Sequence, residues 1–420
     1  MIKRIAALIF IFGCTSVAWM ILGATIFSRT DNFGSSLRGN VASTWGGEQS
    51  QTPPTACYDV ASKRSTEVVL PDGSKTMREE TVHTAIALPV EATDAKVALD
   101  LDYRRKGLLW YSTYKVAFDG TYRFRNPGAQ DQDVTFALKF PAERAMYDDF
   151  VMTLNGEPLN VTNRNNSALA TVRLPAGGTG NLRVTYRSQG LDTWRYSFGS
   201  DVTQVRNFKL IVTTNFKEID FPENTLSATE KRETGNGWQL TWAYKSLLSG
   251  FQIAMPMPEK LQPGPLAGEI SLFAPVSLFF FFFLMFIITT LRKIELHPMN
   301  YFFLAAAFFS FHLLLAYLVD HIALLPAFAL CSAVSIFLVV SYLRLVVGMR
   351  FAALEAGLAQ LIYLVLFSYA FFFKGYTGLT VTIGSILTLF VVMQMTGRIR
   401  WAEKFGEGPK SARPDLTSLA

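Results

Sequence analysis

The sequence predicts a membrane α-helical bundle of six transmembrane helices with an inserted, exported all-β domain that is sandwich-like. Three observations carry this. Uncharged apolar runs of bilayer length fill the last third of the chain, and one more opens it. Between them, apolar and polar residues alternate at the period of two that marks half-buried strands.

Taken in order, Lys3 and Arg4 precede an uncharged run from Ile5 to Ser28. A cleaved signal peptide has an apolar core of about 7–15 residues and a small-residue cleavage site. This run is longer, and Ala24-Thr25-Ile26 is a poor cleavage context, so residues 1–28 read as an uncleaved transmembrane anchor.

Residues 29–269 read as the exported β-rich domain. Val134, Phe136, Leu138 and Phe140 alternate with polar residues, as do Val82-Thr84-Ile86-Leu88, Phe208-Leu210-Val212 and Trp238-Leu240-Trp242. Tyr111–Phe118, Thr171–Leu174, Leu182–Tyr186 and Thr193–Phe198 are further strand candidates, rich in aromatic and branched residues. Turns are expected at Pro71-Asp72-Gly73, Asp119-Gly120, Asn126-Pro127-Gly128, Asn155-Gly156 and Gly177-Gly178. Short strands between such turns predict two sheets packed face to face, with two subdomains meeting near Pro141–Asn160. Ala142–Val151 is a candidate for a short helix, and Pro256, Pro258, Pro263 and Pro265 for a stiff tether into the second span.

Residues 270–401 form the five-helix membrane domain, with spans Ser271–Thr290, Tyr301–Val319, Ile322–Leu343, Ala356–Phe373 and Gly375–Gly397. None of these contains Lys, Arg, Asp or Glu. A helix rises about 1.5 Å per residue, so some twenty residues cross the roughly 30 Å of hydrocarbon. A soluble helix would keep a polar stripe. Residues 402–420 are expected to be a disordered cytoplasmic tail.

Lys and Arg near span ends are retained on the cytoplasmic side. With the N-terminus inside, that side holds Lys3, Arg4, Arg292, Lys293, Arg344, Arg350, Arg398, Arg400, Lys404, Lys410 and Arg413. The short external turns hold only Asp320, His321 and Lys374. Both termini are therefore expected in the cytoplasm and the large domain across the membrane. This topology accounts for the net charge of +6 without a nucleic-acid partner, since no basic stripe forms. Of the cysteines Cys14, Cys57 and Cys331, two lie in spans, which leaves no disulfide within the exported domain. No CxxC or HExxH spacing occurs, and no metal or cofactor is expected.

Several stretches carry a resemblance. Ser43-Thr44-Trp45-Gly46-Gly47-Glu48-Gln49 follows the first span, and Arg104-Arg105-Lys106-Gly107 precedes a β segment. Leu296-His297-Pro298-Met299-Asn300-Tyr301, Asp320-His321-Ile322, Ser341-Tyr342-Leu343-Arg344 and Gly397-Arg398-Ile399-Arg400-Trp401 follow in order, with one span between the first and second, one between the second and third, and two between the third and fourth. Together they resemble the inner membrane protein CreD family, a bacterial envelope family. There are departures: Ser50-Gln51-Thr52-Pro53-Pro54-Thr55 stands where the family has Gly-Pro and an apolar run, and Leu108-Leu109 where it has Ile-Tyr. The resemblance implies a bacterial inner-membrane location with a periplasmic β domain. It also implies links to envelope integrity, tolerance of certain colicins and β-lactam stress.

The candidate functional residues are Trp45, Gly46, Gly47, Gln49, His297, Pro298, His312, Asp320, His321 and Arg344. Trp45-Gly46-Gly47 is either a docking loop or a φ > 0 turn leading from the membrane to the first strand; the turn asks for less. His297-Pro298 starts a helix, Pro being tolerated at the first position, or places a titratable ring at a head group. His312 is an ionisable group at membrane depth, a functional candidate by default, with an interhelical hydrogen bond as the plainer reading. Asp320 is about 80° round the helix from His312 and about 12 Å along it, placed to cap the next span, with His321 at the interface. Arg344 and Arg350 either pair with Glu355 or anchor topology by snorkelling. Hydroxyls and glycines of the last span suit helix packing.

GxSxG, SxxK, HExxH and a phosphate loop are all missing, and Asp148-Asp149 reads as solvated loop, so no enzyme is expected. The function expected is that of a non-enzymatic envelope integrity and stress-response protein. Its β domain would bind or sense a periplasmic protein or cell-wall partner, and the lipid bilayer is its other partner. The alternative is a small proton-coupled transporter or channel.

Overall fold

The structure, a computed structural model, describes residues 2–69, 75–106, 109–199, 202–373 and 375–397. The expected tail at 402–420, the Pro71-Asp72-Gly73 turn, and Lys374, Arg398, Arg400 and Trp401 lie outside the described residues. The described residues form two compact units, one from residues 2–34 with 261–397 and one from residues 35–260.

In the second unit the strands are β1 (Gln49–Gln51), β2 (Thr55–Val69), β3 (Lys75–Leu88), β4 (Ala92–Leu101), β5 (Arg104–Lys106) and β6 (Leu109–Tyr111). Next come β7 (Thr113–Arg125), β8 (Gln132–Lys139), β9 (Tyr147–Leu154), β10 (Glu157–Pro158), β11 (Thr162–Arg164) and β12 (Ser167–Leu174). The last are β13 (Thr179–Leu191), β14 (Thr193–Tyr196), β15 (Thr203–Thr214), β16 (Glu230–Thr234), β17 (Gly237–Ser249) and β18 (Ile253–Pro256). An eight-stranded sheet runs β10-β9-β13-β7-β4-β15-β17-β16, and a five-stranded sheet runs β11-β12-β8-β2-β3. Smaller sheets are β1-β14-β18 and the pair β5-β6. Pairing is antiparallel except between β4 and β15 and between β1 and β14.

Alternation builds the core. Val134, Phe136 and Leu138 of β8 are fully buried, as are Leu210 and Val212 of β15 and Leu240 and Trp242 of β17. The Phe124 and Phe136 rings meet edge to face at 5.4 Å and join the two large sheets. One continuous apolar core links them and the β1-β14-β18 sheet, where two subdomains were expected.

Three further expectations are corrected. Asp119-Gly120 is no turn but mid-strand in β7, where Gly120 pairs with Ala95 and Val184. A Cβ there would lie 2.8 Å from the Phe118 ring, so the glycine makes room for an aromatic neighbour. Ala142–Val151 forms no helix; β9 takes its second half, because Tyr147 stacks on Phe140 at 4.6 Å and packs against Tyr186. The alternation of Val82 to Leu88 in β3 reflects little burial: Val82 and Ile86 are exposed and, of these, Leu88 alone enters the core, because β3 is an edge strand paired with β2.

The helices are α1 (Ile2–Trp45), α2 (Pro263–Leu291), α3 (Pro298–Leu318), α4 (Leu324–Val346), α5 (Phe351–Phe372) and α6 (Thr377–Thr396). By length and composition all six can cross a membrane. The first outlasts its apolar run. Leu37, Val41 and Trp45 recur at helical spacing and form a small apolar cluster with Tyr111 and Leu191, which holds the polar continuation helical. Residues 29–45 are thus helix rather than the start of the β fold. Pro263 and Pro265 belong to the first turn of α2 rather than to an extended tether, since a helix start needs no N–H from proline.

α1 and α2 run antiparallel in the membrane unit. Arg4 meets Thr289, Phe12 meets Phe279, and Gly23, Phe27 and Thr30 lie against Leu272, Gly268 and Gly264. Gly264 and Gly268, four apart, give α1 its close approach, as small residues do where no hydrophobic force drives helices together. α5 contains two π-helical stretches, Phe351–Gly357 and Leu361–Leu366, with Gln360 between them.

Candidate functional site

The expected residues fall into separate places. In the β unit, α1 ends at Trp45 and the chain turns at Gly46, whose φ is +113°. A Cβ on Gly46 would sit 2.4 Å from the Gln189 carbonyl oxygen, so only glycine fits. Gly47 accepts the Leu191 N–H through its carbonyl at 3.1 Å. Buried Gln49 donates to the Ser188 hydroxyl and the Gln189 carbonyl, both at 2.8 Å. The Arg104 guanidinium stacks 3.4 Å over the Trp45 ring. Trp45, Gly46, Gly47 and Gln49 thus fasten the helix end to β13.

Sequence reasoning missed the hub of this junction, Asp192. At φ +64° its N–H donates to Ser112 and its carbonyl accepts from Met257, at 2.9 and 2.7 Å. Its carboxylate lies 2.6 Å from Arg38, which also reaches Glu48 at 3.1 Å. Burial pushes the Asp192 carboxyl above its ordinary value, with the Arg38 bond opposing, while that bond raises Arg38. The segments by which the chain enters and leaves the β unit are both tied to this residue. A partner 154 residues away left no local signal.

In the membrane unit, His297 caps α3: its Nδ1 accepts the Met299 N–H at 3.3 Å, with Pro298 in the first turn. His312 is buried, its Nδ1 3.0 Å from the Phe308 carbonyl of its own helix, so the expected interhelical bond is replaced by an intrahelical one. The rings of Trp19 and Phe311 stand edge-on to it at 5.5 and 4.9 Å, and no partner for its Nε2 lies among the described residues. Asp320 does not cap α4, whose N-cap is Ala323; its carboxylate is 3.1 Å from Arg29 of α1, which also donates to the Ala316 carbonyl. A full counter-charge outcompetes helix N–H groups. His321 and Arg344 are exposed, and Glu355 pairs with Arg292 rather than with Arg344 or Arg350. Away from these, Gln360 donates to Ser335 at 2.7 Å, and Ser335 to the Ala307 carbonyl at 2.6 Å.

The candidate site with the geometry of a binding surface is elsewhere. The outer face of the eight-stranded sheet holds a polar concavity of about 530 Å³ across β4, β7, β13 and β15. Lys96, Arg123, Arg183 and Lys209 line it with Asp94 and Asp119, so cations outnumber carboxylates. Register places them: Lys96 faces Asp119, Thr121 faces both Asp94 and Arg183, and Lys209 faces Asp94. Arg183 grips Asp119 through two bonds of 2.9 Å, which hold that carboxyl below its ordinary value. These are the outward members of the alternation whose inward members make the core. The sequence shows each strand but not which strands lie side by side. Among the described residues, no His, Cys, Asp and Glu cluster could hold a metal ion.

A family model described as inner membrane protein CreD matches residues 271–402. No curated protein matches the sequence. Among solved structures, a candidate nutrient binding protein from Legionella pneumophila is 11% identical, with 46% of this chain and 74% of that one covered and a TM-score of 0.30. An M1 zinc metallopeptidase from Deinococcus radiodurans is 14% identical over 41% of this chain, with a TM-score of 0.28. The match spans 42% of that peptidase's length. Likeness at this level identifies no common fold.

Proposed function

We propose, for a chain whose residues 271–402 match the inner membrane protein CreD family model, a non-enzymatic role in cell-envelope integrity and stress response. The β unit lies in the periplasm and binds an acidic envelope component; both termini lie in the cytoplasm. The observation that carries this is the concavity on the eight-stranded sheet, with Lys96, Arg123, Arg183 and Lys209 against only two carboxylates. Guanidinium and ammonium groups fixed on strands recognise carboxylate or phosphate by charge and hydrogen bond. The topology is supported by the basic residues of the connectors.

The test is photo-crosslinking in cells, with the full chain carrying a photoreactive residue at Lys209 or, as a control, at Lys139 of the five-stranded sheet. An adduct from position 209 alone supports the reading; equal adducts, or none, sink it. Reporter fusions near Gly128 and in the tail should light up in opposite compartments.

The proton-coupled alternative draws on buried His312, Ser335 and Gln360. It requires that His312→Ala abolish the chain's protective effect in cells.

A further inference from the structure

The face between α1 and α2 in the membrane unit holds a feature that the envelope role does not use. Ile5, Ile9 and Phe12 of α1 and Phe279, Phe283 and Phe286 of α2 line an apolar groove of about 360 Å³. On α2 the spacing 279, 283, 286 puts the three rings on one stripe, and on α1 the spacing 5, 9, 12 does the same. Phe12 and Phe279 meet edge to face at 6.3 Å. Ile9 and Phe279 remain half or more exposed, so no helix among the described residues covers them.

Arg4 stands beside the groove. Its guanidinium carbon lies 5.6 Å from the ring centre of Phe286, a groove residue, and 5.5 Å from that of Tyr301. It donates to the Thr289 and Tyr301 hydroxyls at 3.1 and 2.8 Å, and its Nε is buried with no partner among the described residues. Two neutral hydroxyls do not cancel a permanent positive charge. Among the described residues no carboxylate lies within ion-pair distance of Arg4, whereas Arg29 and Arg292 each have one. A half-buried guanidinium at a helix end is costly without an anion.

We propose that this groove is a binding site for one anionic phospholipid. An acyl chain lies along the phenylalanine stripe, and the headgroup phosphate neutralises Arg4 in the leaflet at the N-terminal end of α1. The groove is apolar along its length with Arg4 standing at its end, which fits an acyl chain carrying an anionic head. Charge selects the headgroup, as for basic pockets between membrane helices generally.

The test is native mass spectrometry of the full-length protein in detergent, titrated with phosphatidylglycerol or with phosphatidylcholine of identical chains. The wild type should retain one phosphatidylglycerol about fivefold more tightly than phosphatidylcholine, the contribution of one arginine at an anionic surface. Arg4→Gln should erase the preference and Arg4→Lys should keep most of it. Ile9→Trp, which fills the groove, should weaken both lipids. Equal binding of the two lipids by the wild type, or a preference that survives Arg4→Gln, would overturn the proposal. So would an Ile9→Trp variant that binds both as before, a result that stands even if Arg4→Gln does not fold.

Discussion

Gly46 and Gly47 are adjacent, and the structure gives them opposite sensitivities. Gly46 sits at φ +113°, and a Cβ there would meet the Gln189 carbonyl oxygen at 2.4 Å. That oxygen is backbone, and it also accepts the Gln49 side chain at 2.8 Å, so it cannot step aside without loosening a second bond. Strained φ alone costs of order 1–3 kcal/mol, and the clash adds to it, so Gly46→Ala should destabilise the β unit by about 2–4 kcal/mol. Gly47 is outside the left-handed region and a Cβ there would meet nothing within 4 Å, so Gly47→Ala should cost under about 0.5 kcal/mol. For a unit of this size 1 kcal/mol moves the midpoint by about 2–4 °C. Thermal unfolding of the full chain, followed by exchange at the β13 amides, should therefore show a drop of roughly 4–16 °C for the first variant and about 2 °C or less for the second. If both glycines were equally intolerant, or if function failed while stability held, the pair would be a docking loop and the turn argument would be wrong.

Other variants probe other joints. Gln49→Ala leaves the buried Ser188 hydroxyl and Gln189 carbonyl with one partner fewer and should cost about 1–3 kcal/mol in chemical denaturation. Asp192 has a folded-state carboxyl raised by burial, so its contribution to stability is present below the unfolded value and is lost as pH rises through the folded one. Asp192→Asn, which tolerates the φ of +64°, should flatten that part of the acid-side stability curve; an unchanged slope would assign it to other carboxyls. His297→Ala removes the cap on α3 and should speed amide exchange at Met299, at a cost of about 0.5–2 kcal/mol. Asp119→Asn breaks an exposed pair with Arg183 and should cost under about 1 kcal/mol, less at high salt.

What could be read from the chain beforehand follows the range of the forces involved. The membrane helices were legible because hydrocarbon demands unbroken apolar runs, a property of consecutive residues. Their ends were less so: Pro263 and Glu355 joined α2 and α5 through a first-turn proline and an ion pair with Arg292. Strands with buried alternation, such as Val134 to Leu138, were legible for the same local reason. Asp119-Gly120 misled because a glycine beneath a neighbouring ring looks like a glycine in a turn until the pairing is known. Trp45 to Gln49 stood out as a motif, but its role depends on β13, and Asp192 and the sheet concavity exist only once strands far apart in sequence are in register.

The membrane unit's polar groups bear on which kind of protein this is. Among the described residues its ion pairs lie where the apolar runs end: Arg29 with Asp320 at one side, Arg292 with Glu355 at the other. Between them, among the described residues, most serine and threonine hydroxyls turn to backbone oxygens. Ser335 donates to Ala307, Ser277 to Tyr363 and Thr388 to Gly384, while Tyr363 closes on Thr388 at 2.9 Å. A conduit needs groups free to exchange partners with a passing ion, and transporters place unwound backbone at mid-membrane for that purpose. Here hydroxyl hydrogens are already committed to carbonyls, the arrangement by which serine and threonine hold membrane helices together. His312, enclosed by Trp19 and Phe311, has its Nδ1 against its own helix. Replacing it with phenylalanine removes a buried nitrogen that has no partner among the described residues, so a scaffold should gain stability or stay unchanged and keep the protective effect proposed for the chain. A conduit would lose that effect while its helices stayed folded, and that outcome would transfer the function from the β unit to the bundle.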